Sequence, residues 1–266
     1  MNIAVVIPFY NRRSFVRRAL KCVLDQTLTP SEIIVVDDGS SDGTLEVLKE
    51  YEEFVKIIVQ KNQGVSAARN RGVAASASKW IAFLDSDDIW DKKKLEIQTL
   101  FHKNHPDILF SHTNEIWIRD EKIVSQKKKH KKPQGDCFYE NLDFCKISPS
   151  TVMIKKELFE KCGGFDEELK VCEDYDLWLR VLKKVSVGLI DDALTYKYAG
   201  GWDQLSFGSD YHDMYQINAL IKHLPDSQVE SVILRKLSIL HKGAKKHKND
   251  YILTFCQNIL NKLKLV

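Results

Sequence analysis

Short runs rich in β-branched residues alternate with helix-length amphipathic stretches across residues 1–111, and this alternation leaves few folds open to the chain. The runs are Ile3 to Ile7, Glu32 to Val36, Val55 to Val59, Trp80 to Leu84 and Asp107 to Ser111. Such a pattern is that of a parallel sheet with helices on its faces. Between the first two runs, Phe15, Val16, Ala19, Leu20, Val23 and Leu24 recur every three or four residues. That spacing places them on one face of a helix packed against the sheet.

After Ser111 the pattern changes. A hairpin is expected from Glu115 to Ile118 and Lys122 to Val124, around Arg119-Asp120-Glu121, followed by a mobile lysine-rich loop. Further strands are expected at Thr151 to Ile154, Val185 to Ile190 and Thr195 to Tyr198, with a helix from Glu173 to Val181. From Asp210 onward, Val232, Ile233, Leu237 and Leu240, then Ile252, Phe255, Ile259 and Leu263, give helical spacing. The expected organisation is a main domain over 1–208, in two halves (1–111 and 112–208), and a C-terminal helical extension over 209–266. A chain of 266 residues accommodates one α/β domain with such an appendage.

Apolar residues at 44% and charged residues at 29% exclude a disordered or fibrous chain. No apolar run approaches the roughly 20 residues that span a bilayer, and the chain starts on a strand instead of a signal peptide, so a cytoplasmic protein is expected. The six cysteines show no C-x-x-C pair and read as free thiols. A net charge of +3 is too small to imply a nucleic-acid partner, and the basic runs lack interleaved aromatics. Those runs are Lys127, Lys128, Lys129, Lys131 and Lys132, and Arg235, Lys236, Lys242, Lys245, Lys246 and Lys248. They read either as solvated faces or as a peripheral contact with an anionic membrane or acceptor.

Carboxylates fall where chemistry is expected, because ligands of open α/β sheets sit beyond the carboxyl ends of the strands. Asp37 and Asp38 end the second run, and Asp85, Asp87 and Asp88 end the fourth. So many like charges on one rim call for a cation or for hydrogen-bond donors between them. Asp85-Ser86-Asp87 offers hard oxygen ligands to Mn²⁺ or Mg²⁺, which commonly bridge the phosphates of a nucleotide. An acidic turn that only caps a helix has the same composition.

The order of four segments resembles the inverting family 2 glycosyltransferases of GT-A fold. Val5-Val6-Ile7-Pro8-Phe9-Tyr10-Asn11-Arg12 is similar to the family's opening strand and loop against the nucleobase. Val35-Val36-Asp37-Asp38-Gly39-Ser40 is similar to the segment whose second aspartate accepts from the base, and Gly64-Val65-Ser66-Ala67-Ala68-Arg69-Asn70 to a third donor segment. Phe83-Leu84-Asp85-Ser86-Asp87-Asp88-Ile89-Trp90 resembles the metal motif. The resemblance implies a Rossmann-like, mostly parallel sheet flanked by helices. It also implies Asp87 as the direct metal ligand, Asp85 nearer the ribose and sugar, and Pro8, Phe9, Tyr10, Asp37, Asp38, Arg69, Asn70, Asp85 and Ser86 around the donor.

In the second half, Cys172-Glu173-Asp174-Tyr175-Asp176 resembles the family's E-D motif. Asp174 is then the general base, with Glu173 beside it, since a carboxylate of raised pKa can take the proton of an attacking hydroxyl. The alternative is an acidic first turn of a helix. Ser148 and Ser150 are candidate sugar contacts, although a turn explains them equally. Trp90 and Trp178 are candidate stacking planes, Trp178 being better placed for a core. Trp202, Gln204 and Ser206 lie in a segment that resembles the closing loop of some members, with Trp202 where others carry a histidine. The implied reaction moves a sugar from a nucleotide diphosphate donor, UDP first, onto a hydroxyl of a glycan or glycolipid. A non-catalytic nucleotide-sugar binding module is the alternative. A nucleotidyltransferase would need a glycine-rich loop where Pro8-Phe9-Tyr10-Asn11 stands, and a processive synthase would need membrane spans.

Overall fold

The computed structural model describes residues 1–198 and 211–263. Its first part is β1 (Ile3–Phe9), α1 (Val16–Leu24), β2 (Glu32–Asp37), α2 (Thr44–Lys49), β3 (Lys56–Val59), α3 (Val65–Ala74) and β4 (Trp80–Phe83). β3, β2, β1 and β4 lie side by side and all pair in parallel. Every residue of β1 is buried. Ile3, Val5, Ile7 and Phe9 face one core cluster with Val16, Ala19, Leu20 and Val23 of α1. Ala4 and Val6 face the other, with Ala68 and Val73 of α3. A strand covered on both faces reads as an unbroken apolar run, which made it visible in the sequence. Each such aliphatic side chain contributes about 1.5–3 kcal/mol on burial.

Helix α3 approaches the sheet closely enough to require a glycine. A Cβ at Gly72 would stand 2.4 Å from Val6 Cγ1. This contact sets the height of Arg69, one turn earlier on the same helix.

The chain continues through β5 (Ile89–Trp90), α4 (Lys94–Asn104), β6 (Phe110–Arg119), β7 (Lys122–Val124), β8 (Met153–Lys155), α5 (Lys156–Lys161), α6 (Glu173–Leu182) and β9 (Gly188–Tyr198). It ends in α7 (His212–Ile221), α8 (Ser227–Lys246) and α9 (Asp250–Leu263). The sheet runs β3-β2-β1-β4-β8-β6-β9-β5, with β7 paired to β6. β8 is antiparallel to both β4 and β6, so the sheet is mixed beyond its parallel half. Helices α7, α8 and α9 feed Ile217, Val229, Ile233, Ile252 and Ile259 into the same cluster as Phe83 and Trp178.

Several expected boundaries shift. Asp107 lies in a turn where Ile108 N donates to His105 O, and the strand starts at Phe110. It then runs unbroken into the hairpin, its polar residues drawing partners from distant segments: His112 Nε2 lies 2.8 Å from Pro133 O, and Ser111 Oγ 2.8 Å from His102 Nε2, while His112 Nδ1 and Glu115 Oε2 are buried without a hydrogen bond among the described residues. The two strands expected over 185–198 are one strand, β9, kept continuous by a register shift against β6 near Asn114. Thr151 belongs to a 3₁₀ turn, Pro149 to Thr151, and not to a strand. Lys132 leaves the solvated run entirely. It is buried, and its Nζ lies 2.9 Å from Glu115 Oε1 on β6.

Three buried histidines give the fold an acid limit. Burial holds the ring of His102 down to about 4, of His112 to about 3 and of His223 to about 4, against 6.5 for a free ring. At these three rings the unfolded chain therefore binds more protons below pH 6.5 than the folded one, and the stability they contribute is lost as pH falls from 6.5 towards 4. Each ring contributes about 1.4 kcal/mol per pH unit in that window. Urea midpoints at pH 7, 6 and 5 are expected to fall progressively, and a midpoint independent of pH would contradict the neutral assignments.

Candidate active site

Because β1, β2 and β4 are parallel, Tyr10, Asp38 and Asp85 follow their carboxyl ends on one rim. A cavity of about 480 Å³ opens there, a size typical of small-molecule sites. Its walls include Pro8, Phe9, Tyr10, Asp38, Arg69, Asp85, Ser86, Asp87, Glu173 and Asp174. Residues far apart in sequence thus share one space.

Arg69 joins the two halves. Its guanidinium donates to Asp85 Oδ1 at 2.6 Å and to Glu173 Oε1 at 2.7 Å, and it packs 5.1 Å from the Phe165 ring centroid. Only 3% of Arg69 is exposed. Burial opposes its charge, but Asp85 and Glu173 outweigh that and hold its pKa above the ordinary value.

The acidic turn after β4 is braced from below. Asp85 N donates to Ser150 Oγ, which in turn donates to Asp88 Oδ2 at 2.7 Å. Trp90 Nε1 donates to Ser150 O, and Arg18 of α1 donates to Asp87 O. Burial pushes the Asp88 carboxyl up to about 8, with Lys197 opposing and Asp87 and Asp85 adding to the shift. Replacing Ser150 by Ala removes both contacts inside a buried network and is expected to destabilise by about 1–3 kcal/mol. Denaturant titration checks this, and an unchanged midpoint would remove Ser150 from the brace.

Asp38 spends its carboxylate on the loop before α3: Gln60 Nε2 and Gln63 N donate to Oδ1, and Gly64 N donates to Oδ2. It shapes the wall that Asn62 and Gly64 line. Asp37 is 1% exposed, with its pKa raised by burial against the Ser40 hydrogen bonds, and does not line the cavity.

Helix α6 delivers the carboxylate pair. Cys172, just before it, holds a left-handed backbone (φ 65°), an unusual conformation for a residue other than glycine. Glu173 is buried and committed to Arg69, whereas Asp174 is half-buried at the cavity wall. Asp174 Oδ1 accepts from Tyr175 N, and Oδ2 lies 3.5 Å from Cys145 Sγ. Burial raises the Asp174 pKa; Tyr175 N–H, Arg69 and Lys197 work against it. Burial likewise raises that of Glu173, opposed by Arg69.

Besides Asp37, five expected ligand contacts are placed off the cavity wall. Trp90 and Trp178 are 3% and 2% exposed, with their indole N–H groups given to Ser150 O and Ile147 O, so neither presents a face to a sugar. Ser150 is fully buried in the brace. Asn70 turns away from the cavity and holds both N and O of Phe165. Ser148, half-buried, accepts from Lys197 Nζ at 3.3 Å. Trp202, Gln204 and Ser206 lie outside the described residues. Sequence reasoning missed Lys197 and Cys145, both at the wall. Lys197 has a signal, a lone cation in the short run Thr195 to Tyr198; Cys145 has none.

Residues 4–163 match the sequence profile described as glycosyl transferase family 2. The chain belongs to this family. It is 36% identical over 203 residues to an uncharacterized glycosyltransferase of Rickettsia conorii, covering 75% of this chain and 33% of that protein. The chain therefore spans about a third of the length of that relative. The putative teichuronic acid biosynthesis glycosyltransferase TuaG of Bacillus subtilis is 32% identical, with 68% of this chain and 72% of TuaG covered. WfgD of Escherichia coli, a UDP-Glc:alpha-D-GlcNAc-diphosphoundecaprenol beta-1,3-glucosyltransferase, is 33% identical over 71% of this chain and 73% of its own. Among solved structures, S. aureus TarS 1-349 in complex with UDP-GlcNAc superposes with a TM-score of 0.72 at 20% identity, covering 91% of this chain and 73% of that one. The chain has the GT-A fold that its motifs implied. All six of its cysteines are free. Among the described residues no helix is long and apolar enough to cross a membrane.

Proposed function

We propose that residues 1–208 transfer a sugar from a UDP-sugar to a hydroxyl of a glycan or lipid-linked acceptor, with inversion, and that 209–266 is an extension of that catalytic unit. The observation that carries this reading is the placement of Asp174 and the Asp85–Asp87 turn on one cavity, locked together through Arg69. A binding module would need no half-buried carboxylate of raised pKa opposite its phosphate side. TarS binding UDP-GlcNAc and WfgD using UDP-Glc support the choice of nucleotide.

The donor set suits a hard divalent cation, Mg²⁺ or Mn²⁺, held by Asp87 and Asp85. Among the described residues no three Asp, Glu, His or Cys side chains group as a metal site. Two carboxylates with substrate phosphates and water are a common set for such an ion. Bound there, it would neutralise charge on the departing diphosphate.

The protein's own groups do the rest. Asp174 takes the proton of the acceptor hydroxyl as it attacks the anomeric carbon, and its raised pKa makes it a better base than a solvated aspartate. Arg69 fixes Asp85 against Glu173 and so sets the spacing between donor side and base. Asp38 holds the 60–64 loop in the shape a nucleobase would meet. Incubation with Mn²⁺, a panel of nucleotide sugars and lipid-linked or free saccharide acceptors tests the proposal. Acceptor-dependent release of UDP supports it, and binding without any turnover across the panel would favour the idle module.

A further inference from the structure

The two basic runs, a hundred residues apart, meet at one strip beside the base. On one side, Arg235 pairs with Asp143 and Lys236 Nζ donates to Asp143 O at 2.7 Å, bringing α8 against residues 143–146. On the other, the buried Lys132–Glu115 pair pins the lysine loop to β6, and Lys132 Nζ also donates to Lys146 O at 2.9 Å. The loop is packed further by the Trp117, His130 and Phe144 rings, with centroids 5.0 and 5.6 Å apart in succession. Between the two anchors lies Cys145, whose thiol is 3.5 Å from Asp174 Oδ2.

Two ammonium groups converge on this strip. Lys129 Nζ lies 5.4 Å and Lys146 Nζ 5.5 Å from the Phe144 ring centroid. Among the described residues neither has a carboxylate partner within ion-pair distance, while the neighbouring Lys132 and Arg235 both do. Neither ammonium is neutralised there, and a multiply charged oxyanion would supply the missing counter-ion through charge-assisted hydrogen bonds.

We propose that Lys129 and Lys146 form a subsite for a phosphate or diphosphate group carried by the acceptor, which places its sugar hydroxyl at Asp174. The inference rests on the glycosyl-transfer reading and adds the chemical class of the acceptor. The position favours the acceptor over the donor, since the strip adjoins Asp174 through Cys145, whereas Asp38 and the acidic turn line the donor side.

The test is calorimetry on the full chain saturated with UDP and Mn²⁺, titrated with a short-chain alkyl diphosphate at low salt. Wild type is expected to bind it, and Lys129→Gln and Lys146→Gln each to weaken it by about tenfold or more, the scale of a hydrogen bond to a charged group. Lys245→Gln, at the far end of α8, is expected to stay within about twofold. Unchanged UDP affinity in the variants shows that the fold and donor side are intact. Equal alkyl diphosphate affinity in wild type and both lysine variants overturns the subsite. Phosphatidylglycerol vesicles form the second arm: lysine-dependent vesicle binding without binding of the soluble diphosphate assigns the strip to lipid headgroups and overturns the acceptor assignment. If UDP fails to bind wild type, the donor reading falls, and the same titration without UDP still decides the subsite.

Discussion

Asp174→Asn is expected to lower the transfer rate by about 10² to 10⁴ while leaving UDP affinity and melting temperature close to wild type. The amide keeps the size of the side chain and one acceptor oxygen for Tyr175 N–H, but it takes no proton. The adjacent Glu173→Gln separates the two roles. Glu173 is committed to Arg69, so its loss should appear first as lower stability. The pH profile adds a second reading. A base acts in its ionised form, and burial raises the Asp174 pKa, so the rate should fall as pH drops through a value above the usual aspartate range. That limb should vanish in Asp174→Asn. A folded Asp174→Asn protein with near wild-type turnover would remove Asp174 as the base.

Arg69→Met is expected to have the largest effect on stability. It keeps an apolar stem against Phe165 but leaves Asp85 and Glu173 without their shared cation. Breaking a buried pair from one side costs about 3–5 kcal/mol, which for a chain of this size lowers the melting temperature by on the order of 10 °C. The loss should shrink at acid pH, where the two carboxyls can neutralise by protonation. Arg69→Lys should rescue little, because an ammonium is a point charge and cannot hold two carboxylates as the guanidinium fork does. Thermal melts of the three proteins at pH 5 and 7.5 check this, and a pH-independent loss would mean that packing of the stem, and not the charge, is what matters.

The strands and the acidic rim could be read from the sequence because their causes are local. β1 and β2 are buried on both faces and so unbroken in apolarity, and parallel strands necessarily bring Asp38 and Asp85 to one edge. What escaped was long-range. Arg69 lies 104 residues from Glu173, and no local pattern announces that a helical arginine spans the two halves. Lys132 looks like its neighbours in a lysine run, and only Glu115 on β6 sets it apart. Trp178 was readable as core, as its 2% exposure bears out, but Trp90 was readable only as an aromatic plane, and neither acceptor, Ser150 O for Trp90 or Ile147 O for Trp178, is near in sequence. β6 was split because its middle, Ser111-His112-Thr113-Asn114, is polar, and polar residues enter a core only when partners elsewhere satisfy them.

The central claim is that the cavity between Asp38, Asp87 and Asp174 is a nucleotide-diphosphate site that works with a divalent ion. Calorimetric titration of UDP into the purified chain with Mn²⁺, repeated after EDTA and with Asp87→Ala, tests it most directly. One UDP per chain is expected, with affinity that falls sharply in EDTA and in Asp87→Ala. No binding of UDP, or binding that EDTA and the substitution leave unchanged, would contradict it.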